Sequence, residues 1–243
     1  PLLEAFSPKV CHRDVTPRNI QVSEAHGRPD FGLVDFGLAI DAAQWRRQET
    51  GCDLGGDGRY WTPSAWLVFS HGKEALARHA AMSREYLACL DAHSLGLTAL
   101  QCLVDMLPNL DAIEVDPNDT QLSDAVRALR DIAAAWTWYW ADARAAWQPV
   151  YDAFCGVGDF AAISAEYATL GVHNIIREDV RGMRRALQRG SSACAGLPKE
   201  TGLADMPALF DAILCMVQCA EEDPERSEDG VGERSGATVR HSC

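Results

Sequence analysis

Basic residues are scarce in this chain. Lys and Arg together number 22, against 35 Asp and Glu, so the formal net charge is −13. Affinity for nucleic acid depends on basic side chains that neutralise phosphates. The charge balance therefore predicts that nucleic acid is not a partner.

Long apolar runs are also missing. No stretch approaches the roughly 18 consecutive apolar residues of a transmembrane helix, and residues 1–9 lack the charged and apolar regions of a signal peptide. We therefore expect no membrane partner, and the cysteine usage described next favours an intracellular, cytoplasmic location.

The nine cysteines form no C-x-x-C pair. Scattered single cysteines are typical of a reducing compartment. Cys215 and Cys219 lie closest together and are interpreted as two small residues on one helix face, because no paired Cys/His cluster completes a zinc ligand set.

Two short patterns carry the chemical information. Residues 12–19 read HRDVTPRN and residues 34–37 read VDFG, which match H-R-D-x-x-x-x-N and D-F-G in that order. Apolar runs at 20–22 and 31–35, broken by residues 27–30, predict a β-hairpin between the two patterns. Such a hairpin would present Asn19 and Asp35 at neighbouring ends.

Two further patterns follow in the same order. Residues 56–64 read GDGRYWTPS, which resembles G-T-x-x-Y-x-A-P-E with Asp57, Thr62 and Ser64 as departures. Residues 91–96 read DAHSLG and resemble D-x-W-S-x-G, with His93 in place of tryptophan. Over residues 10–107 the chain thus resembles the C-lobe of protein kinases, in a divergent form.

The resemblance implies a fold class and a domain plan. We expect an α+β, predominantly α-helical protein, with a kinase-like C-lobe core at 1–110 that includes a short hairpin at the catalytic loop. Residues 111–220 are predicted to be a divergent helical extension, and residues 221–243 a disordered tail, because they are charged and poor in large apolar groups. A glycine-rich loop and a V-A-I-K lysine do not fit into residues 1–11, so the nucleotide-clamping lobe is expected to be absent and the polypeptide alone inactive.

The resemblance also implies metal and base roles. Asp35 would hold a magnesium ion at the β- and γ-phosphates of ATP, and Asn19 would hold a second one. Asp14 would accept or orient the proton of the substrate hydroxyl. The implied cofactors are therefore ATP and Mg²⁺, and the implied partner is a protein substrate.

Three further residues are assigned by position. Arg13 is expected to face the activation segment, where Asp57 offers a built-in negative charge. Arg18 could supply a cation near the phosphates, and Gln21 falls where an apolar side chain would usually floor the adenine. Because Ser64 cannot form the ion pair of the A-P-E glutamate, a loose activation segment is predicted.

Three functions fit these residues. A protein kinase that phosphorylates protein hydroxyls, Ser/Thr rather than Tyr, is the first. A pseudokinase that acts as an interaction module is the second, because Gln21 and Ser64 depart from the pattern. A small-molecule phosphotransferase of the aminoglycoside type shares the H-x-D-x-x-x-x-N logic, but the G-x-x-x-Y-x-x-P stretch at 56–63 favours a protein kinase.

The rest of the chain has the periodicity of helices. Residues 36–64 are polar and glycine-rich and predict a mobile loop. Helices are predicted at 73–90, 91–107, 119–153, 157–190 (a pair) and 203–220. In the 119–153 helix, one stripe carries most of the tryptophans and is interpreted as core packing, while Trp138 and Tyr139 fall to its sides.

Overall fold

The computed structural model describes residues 9–25, 27–47, 54–116 and 118–217. The predicted tail at 221–243 and Cys219 lie outside these ranges. The described residues form four strands: β1 Val10–Cys11, β2 Ile20–Ala25, β3 Arg28–Leu33 and β4 Ile40–Asp41. Eight α-helices follow in the described ranges: α1 Ala42–Arg47, α2 Pro63–His71, α3 Ala80–Ala88, α4 Leu90–Met106, α5 Thr120–Phe154, α6 Phe160–Leu170, α7 Val172–Cys194 and α8 Met206–Met216. The predicted α+β, predominantly helical class is confirmed.

The predicted hairpin is present. Strands β2 and β3 pair antiparallel, with Ile20 opposite Leu33 and Ala25 opposite Arg28. The turn is tighter than the expected 27–30, because Gly27 takes a positive φ of 72° and the strand resumes at once. A second, two-residue ladder pairs β1 with β4 antiparallel.

The prediction of a continuous loop from residue 36 to residue 64 is wrong. Within it, β4 and α1 form, and the side chains of Ala42 and Trp45 on α1 are buried. The Asp41 carboxylate accepts the backbone N–H groups of Ala43 and Gln44, both at 2.9 Å, which caps the start of α1. Burial of one indole and a local cap thus stabilise a short helix that the polar composition did not predict.

The predicted helix at 73–90 is not one helix. Residues Lys73–Arg78 form a 3₁₀ helix, and α3 begins only at Ala80, after a non-helical His79 with φ −133° and ψ 84°. The following helix, α4, ends at Met106, one residue before the predicted end and two before Pro108. Proline cannot continue a helix, which accounts for the stop.

The core lies between the long helices. Helix α5 packs along α7, and α7 also packs against α2 and α8, while α4 contacts α8. Fully buried side chains join these faces: Trp66, Leu97, Ile132, Tyr139, Leu187 and Phe210. Tyr139 therefore belongs to the core and not to the side of the stripe, whereas Trp138 is 73% exposed, as its position predicted.

In the described part of the chain, no single helix is both long enough and apolar enough to cross a membrane. Helices α3 and α4 reach that length and composition only together, and they are bent by 75° at the break between them.

Candidate active site

One carboxylate fixes the loop between β1 and β2 through hydrogen bonds to its backbone. Asp91, at the start of α4, accepts the backbone N–H of His12 at 2.6 Å and that of Arg13 at 2.7 Å, one on each oxygen. Arg13 has a positive φ of 68°, which costs a non-glycine residue about 1–3 kcal/mol. The two hydrogen bonds offset that cost and set the direction in which the chain enters Asp14.

The imidazole of His12 connects this loop to Val34, the residue that follows β3. The side chain is buried, and its Nε2 lies 3.0 Å from the carbonyl oxygen of Val34. Its ring meets that of Phe36 edge to face, with centroids 4.9 Å apart. His12 and Phe36 thus support the backbone of both sequence patterns.

Asp14 is held from two sides. The amide nitrogen of Asn19 donates to Asp14 Oδ2 and to the Asp14 carbonyl oxygen, both at 2.9 Å. The backbone N–H of Asp57 donates to the other carboxylate oxygen, Oδ1, at 3.0 Å. A carboxylate offers about four lone-pair positions, so these two contacts fix its orientation and leave capacity to accept another proton.

Asp35 leaves the hairpin beside Asn19. The backbone N–H of Val34 donates to the carbonyl oxygen of Asn19 at 2.9 Å, which brings the next residue, Asp35, to the loop that carries Asn19. Asp35 is exposed and has a positive φ of 61°. Its Oδ1 accepts a long bond from Gly37 N–H, at 3.3 Å. The structure therefore brings the three predicted residues Asp14, Asn19 and Asp35 to one region.

The segment that carries Asp57 crosses the loop at close range. A Cβ at Gly56 would lie 2.2 Å from the carbonyl oxygen of Arg13 and 2.9 Å from Asp14 Oδ1, and φ at Gly56 is +79°. Only glycine satisfies both restrictions. Glycine is thus required at position 56, because the backbone must pass this close to Arg13 for the Asp57 N–H to reach Asp14.

The carboxylate of Asp57 pairs with a cation two residues away in the sequence. Its carboxylate accepts from the guanidinium of Arg59 through several hydrogen bonds, one of them to Oδ1 at 2.9 Å. The hydrogen bond with Asp57 raises the pKa of Arg59 above its ordinary value. Arg13 Nε instead donates to the carbonyl oxygen of Leu38 at 2.7 Å, and its guanidinium lies over Trp45. Asp57 thus pairs with Arg59, and the Arg13 guanidinium lies beside Gly55 of the same segment, where an added Cβ would be 3.7 Å from Arg13 Cζ.

The end of the segment is anchored, contrary to the expectation for Ser64. The residue is fully buried, and its backbone N–H donates to Glu85 Oε1 at 3.0 Å. Glu85 belongs to α3, and it caps the first turn of α2 from outside, where free N–H groups favour a carboxylate. Thr62 Oγ1 completes the cap by accepting Ala65 N–H at 3.1 Å. No sequence signal identified Glu85, because the contact joins two helices.

Arg18 and Gln21 lie on the exposed side of the same region. Arg18 is in the 3₁₀ turn Pro17–Asn19, and Gln21 is in β2 opposite Gly32. Both side chains are exposed. Their predicted roles toward phosphate and adenine stay predictions.

The described ranges contain no cluster of three or more His, Cys, Asp or Glu side chains suited to a metal ion. Magnesium in phosphoryl-transfer sites usually takes one or two protein oxygens and completes its shell with water and phosphate oxygens. Asp35 supplies an exposed carboxylate. Asn19 uses its amide nitrogen toward Asp14, so its amide oxygen is directed away from Asp14. The donor set fits that chemistry.

An apolar cavity among the described residues is a different feature. It has a volume of about 720 Å³ and an apolar lining that includes Val15, Leu33, Trp45, Leu95 and Met216. Asp14, Asn19 and Asp35 are not part of its wall. Phosphate chemistry needs polar ligands, so the polar loop and not this cavity is the candidate active site.

Comparison of the chain with protein-family models, with curated proteins and with solved structures finds no match.

Proposed function

We propose that this chain carries the catalytic half of a protein-kinase-type phosphoryl-transfer site, with a protein hydroxyl as acceptor. The observation that supports this most strongly is the double restraint on Asp14, by the Asn19 amide and the Asp57 N–H. Preorganised orientation is the main contribution that a protein makes to phosphoryl transfer. Three unrelated polar loop residues would not need such a restraint on one carboxylate.

Asp14 acts as the base in this proposal. The acceptor hydroxyl oxygen forms the new bond to phosphorus, its proton moves to the Asp14 carboxylate, and the bond between the γ-phosphorus and the bridging oxygen breaks, with the electron pair leaving on ADP. The Asn19 amide and the Asp57 N–H keep the carboxylate in place while the proton moves. His12 and Asp91 hold the backbone on which Asp14 sits.

Asp35 and Asn19 are the proposed ligands of Mg²⁺, which neutralises charge on the phosphate oxygens when it is bound. Asp35 is suited to this role because its carboxylate is exposed and lightly bonded within the described residues. Arg18 adds a positive charge from the same 3₁₀ turn as Asn19.

A protein acceptor is favoured over a small molecule by the segment from Gly56 to Pro63. It runs directly past Asp14 and is anchored at both ends, by the Asp57–Asp14 bond and by the Glu85–Ser64 bond. An ordered segment beside the base offers backbone against which an extended acceptor could lie.

The test is phosphate transfer from labelled ATP to a mixture of generic protein acceptors by the complete gene product. Asp35→Asn should reduce transfer by at least about a hundredfold, because each tenfold corresponds to roughly 1.4 kcal/mol and a charged ligand is lost. Ser64→Ala is the matched control and should retain most of the activity. Wild-type transfer by Asp35→Asn would contradict the proposed role of Asp35.

The same experiment addresses the interaction-module alternative. If wild type, Asp14→Asn and Asp35→Asn all fail to transfer phosphate yet bind a partner protein equally, the interaction module replaces the kinase.

A further inference from the structure

The tip between α5 and α6 displays large apolar side chains to solvent. Tyr151, Phe154, Val157 and Phe160, which we call the tip patch, are 51%, 58%, 69% and 39% exposed. The rings of Phe154 and Phe160 meet edge to face with centroids 4.8 Å apart. Tyr151 and Phe154 both lie against the ring of Trp147, so the three exposed rings form one cluster, and Val157 lies in the turn between them.

The shape of the tip is fixed by its backbone. Gly156 and Gly158 take positive φ values of 85° and 120°, which L side chains rarely adopt. The N–H of Val157 donates to the carbonyl oxygen of Asp152 at 2.8 Å and closes the turn. The exposed side chains thus extend from an ordered turn, which lowers the entropic cost of binding to them.

The tip patch is linked to the candidate active site through one buried indole. Trp147 lies 6.1 Å from Phe154 and 5.5 Å from Trp61, measured between ring centroids. On its other side it packs against Gly58, where an added Cβ would lie 2.4 Å from Trp147 Cε3. Gly58 follows Asp57, whose N–H is bonded to Asp14. A chain of direct contacts therefore joins the patch to the proposed base.

The charged side chains of the chain segment that carries the patch have one sign. Residues 148–170 contain Asp152, Asp159 and Glu166, and no Lys, Arg or His. Asp152 accepts from Gln148 at 2.8 Å, and Asp159 caps α6 by accepting the N–H of Ala161 at 2.9 Å. Because neutral donors occupy these carboxylates, their negative charge is not cancelled locally, and a positively charged partner is favoured.

We propose that the tip patch binds the protein acceptor of the transfer reaction, through a segment that carries apolar side chains flanked by Lys or Arg. The inference rests on the proposed function, because the link to the proposed base Asp14 is what suggests the acceptor as the ligand of the tip patch. The contacts between Phe154 and Trp147, between Trp147 and Gly58, and between Asp57 and Asp14 are each short, and a segment of about ten residues spans roughly 33–36 Å when extended. Exposed apolar clusters on an ordered surface are typical of interaction sites.

Binding is tested with three fluorescein-labelled 14-residue peptides and the 243-residue chain without ATP. The first peptide contains one serine, a Leu-Phe pair and two flanking lysines. The second has serines in place of Leu-Phe, and the third has glutamates in place of the lysines. The first should bind at least about tenfold more tightly than the others, since each tenfold is 1.4 kcal/mol, a typical value for an aromatic anchor.

Two exposed sites on α5 provide the matched variants. The double variant Tyr151→Ser/Phe154→Ser should weaken binding of the first peptide about tenfold or more. Trp138→Ser removes an aromatic side chain that is more exposed, on the same helix but outside the patch, and should leave binding unchanged. Equal losses in both, or none in the double variant, would overturn the inference. So would a dimer in sedimentation that the double variant dissolves, because the occupant would then be a second copy of the chain.

The transfer assay separates this inference from the proposed function. In the complete gene product, the double variant should raise KM for the first peptide and leave kcat unchanged, since only binding distant from the phosphorus is lost. Transfer with an unchanged KM would contradict the inference and leave the proposed function standing. Binding without any transfer would contradict the proposed function and support the binding surface alone.

Discussion

Asp91 accepts the backbone N–H of His12 at 2.6 Å, although the two residues lie 79 positions apart. The second oxygen of the same carboxylate accepts the N–H of Arg13, so the start of α4 fixes the loop that carries Asp14. The proposed base therefore depends on a helix that takes no part in the chemistry.

Asp91→Asn should destabilise the protein by about 2–3 kcal/mol. Hydrogen bonds to a charged group contribute about 1.5–3 kcal/mol each, and an amide offers only one oxygen to two N–H donors. Urea unfolding measures the loss. Asp105→Asn, at an exposed position on the same helix, is the control and should lie within about 0.5 kcal/mol of wild type. Equal stability of the two variants would show that the Asp91 contacts contribute little.

Gly56→Ala should disrupt the contact between the Asp57 segment and Asp14. The new Cβ would lie 2.2 Å from the carbonyl oxygen of Arg13, which is backbone and cannot swing away. We expect a loss of stability and, in the transfer assay, a loss of kcat. Gly182→Ala in α7 is the control, because nothing lies within 4 Å of the added Cβ there. That substitution should stabilise the helix by up to about 1 kcal/mol, and the opposite ranking of the two variants would refute the packing argument.

Glu85→Ala should cost more stability than Ser64→Ala. The first leaves the buried N–H of Ser64 without its acceptor, which costs about 1–3 kcal/mol. The second keeps that N–H bonded and removes only the hydroxyl that lies 2.8 Å from Thr62 Oγ1. Denaturant midpoints of the two variants compare the costs directly. A larger loss for Ser64→Ala would mean that the hydroxyl pair, and not Glu85, anchors the segment.

Asp179→Asn should stabilise the protein above pH 6. Burial, with Asp142 close by, raises the pKa of Asp179 from 3.8 to about 6 in the folded state. Between those two values the folded state binds more protons than the unfolded state, so stability falls as pH rises through this window. Asparagine removes the titration, and its advantage over wild type should grow from pH 4 to pH 6 and then stay constant.

Urea unfolding of wild type and Asp179→Asn at pH 4.5 and pH 7.5 tests this dependence. Glu200→Gln, which changes an exposed carboxylate on the 3₁₀ turn Lys199–Thr201, serves as the control. A pH-independent difference between wild type and Asp179→Asn would show that Asp179 is not protonated in the folded protein.

Local patterns were sufficient for some elements. The hairpin follows from two short apolar runs around Gly27, and the end of α4 follows from Pro108, because turns and stops depend on the backbone preferences of one or two residues. Amphipathic spacing also located α5 and the helix pair after it. Composition was misleading at α1, where the burial of Trp45 outweighs a polar, glycine-rich neighbourhood.

In the candidate site, too, the sequence predicted some contacts and not others. The order of the two sequence patterns along the chain was enough to select His12, Asp14, Asn19 and Asp35 as candidate site residues. It also placed Asn19 beside the end of β3, because a hairpin brings its own ends together. The roles of Asp57 and Glu85 could not be read from order, since each depends on which neighbour the folded backbone brings within 3 Å. Asp57 pairs with Arg59, and Glu85 bonds to Ser64.

The sequence by itself determined the helical periodicity, the hairpin and the identity of the acid and amide residues, because these depend on side-chain chemistry and on contacts within a few positions. Only the tertiary structure decided that Asp91 holds the loop, that Gly56 passes against Asp14 and that Tyr139 is buried while Phe154 is exposed. The physical reason is that hydrogen bonds and packing between distant segments depend on the relative placement of whole helices. That placement results from the sum of many small burial terms, and no single stretch of sequence encodes it.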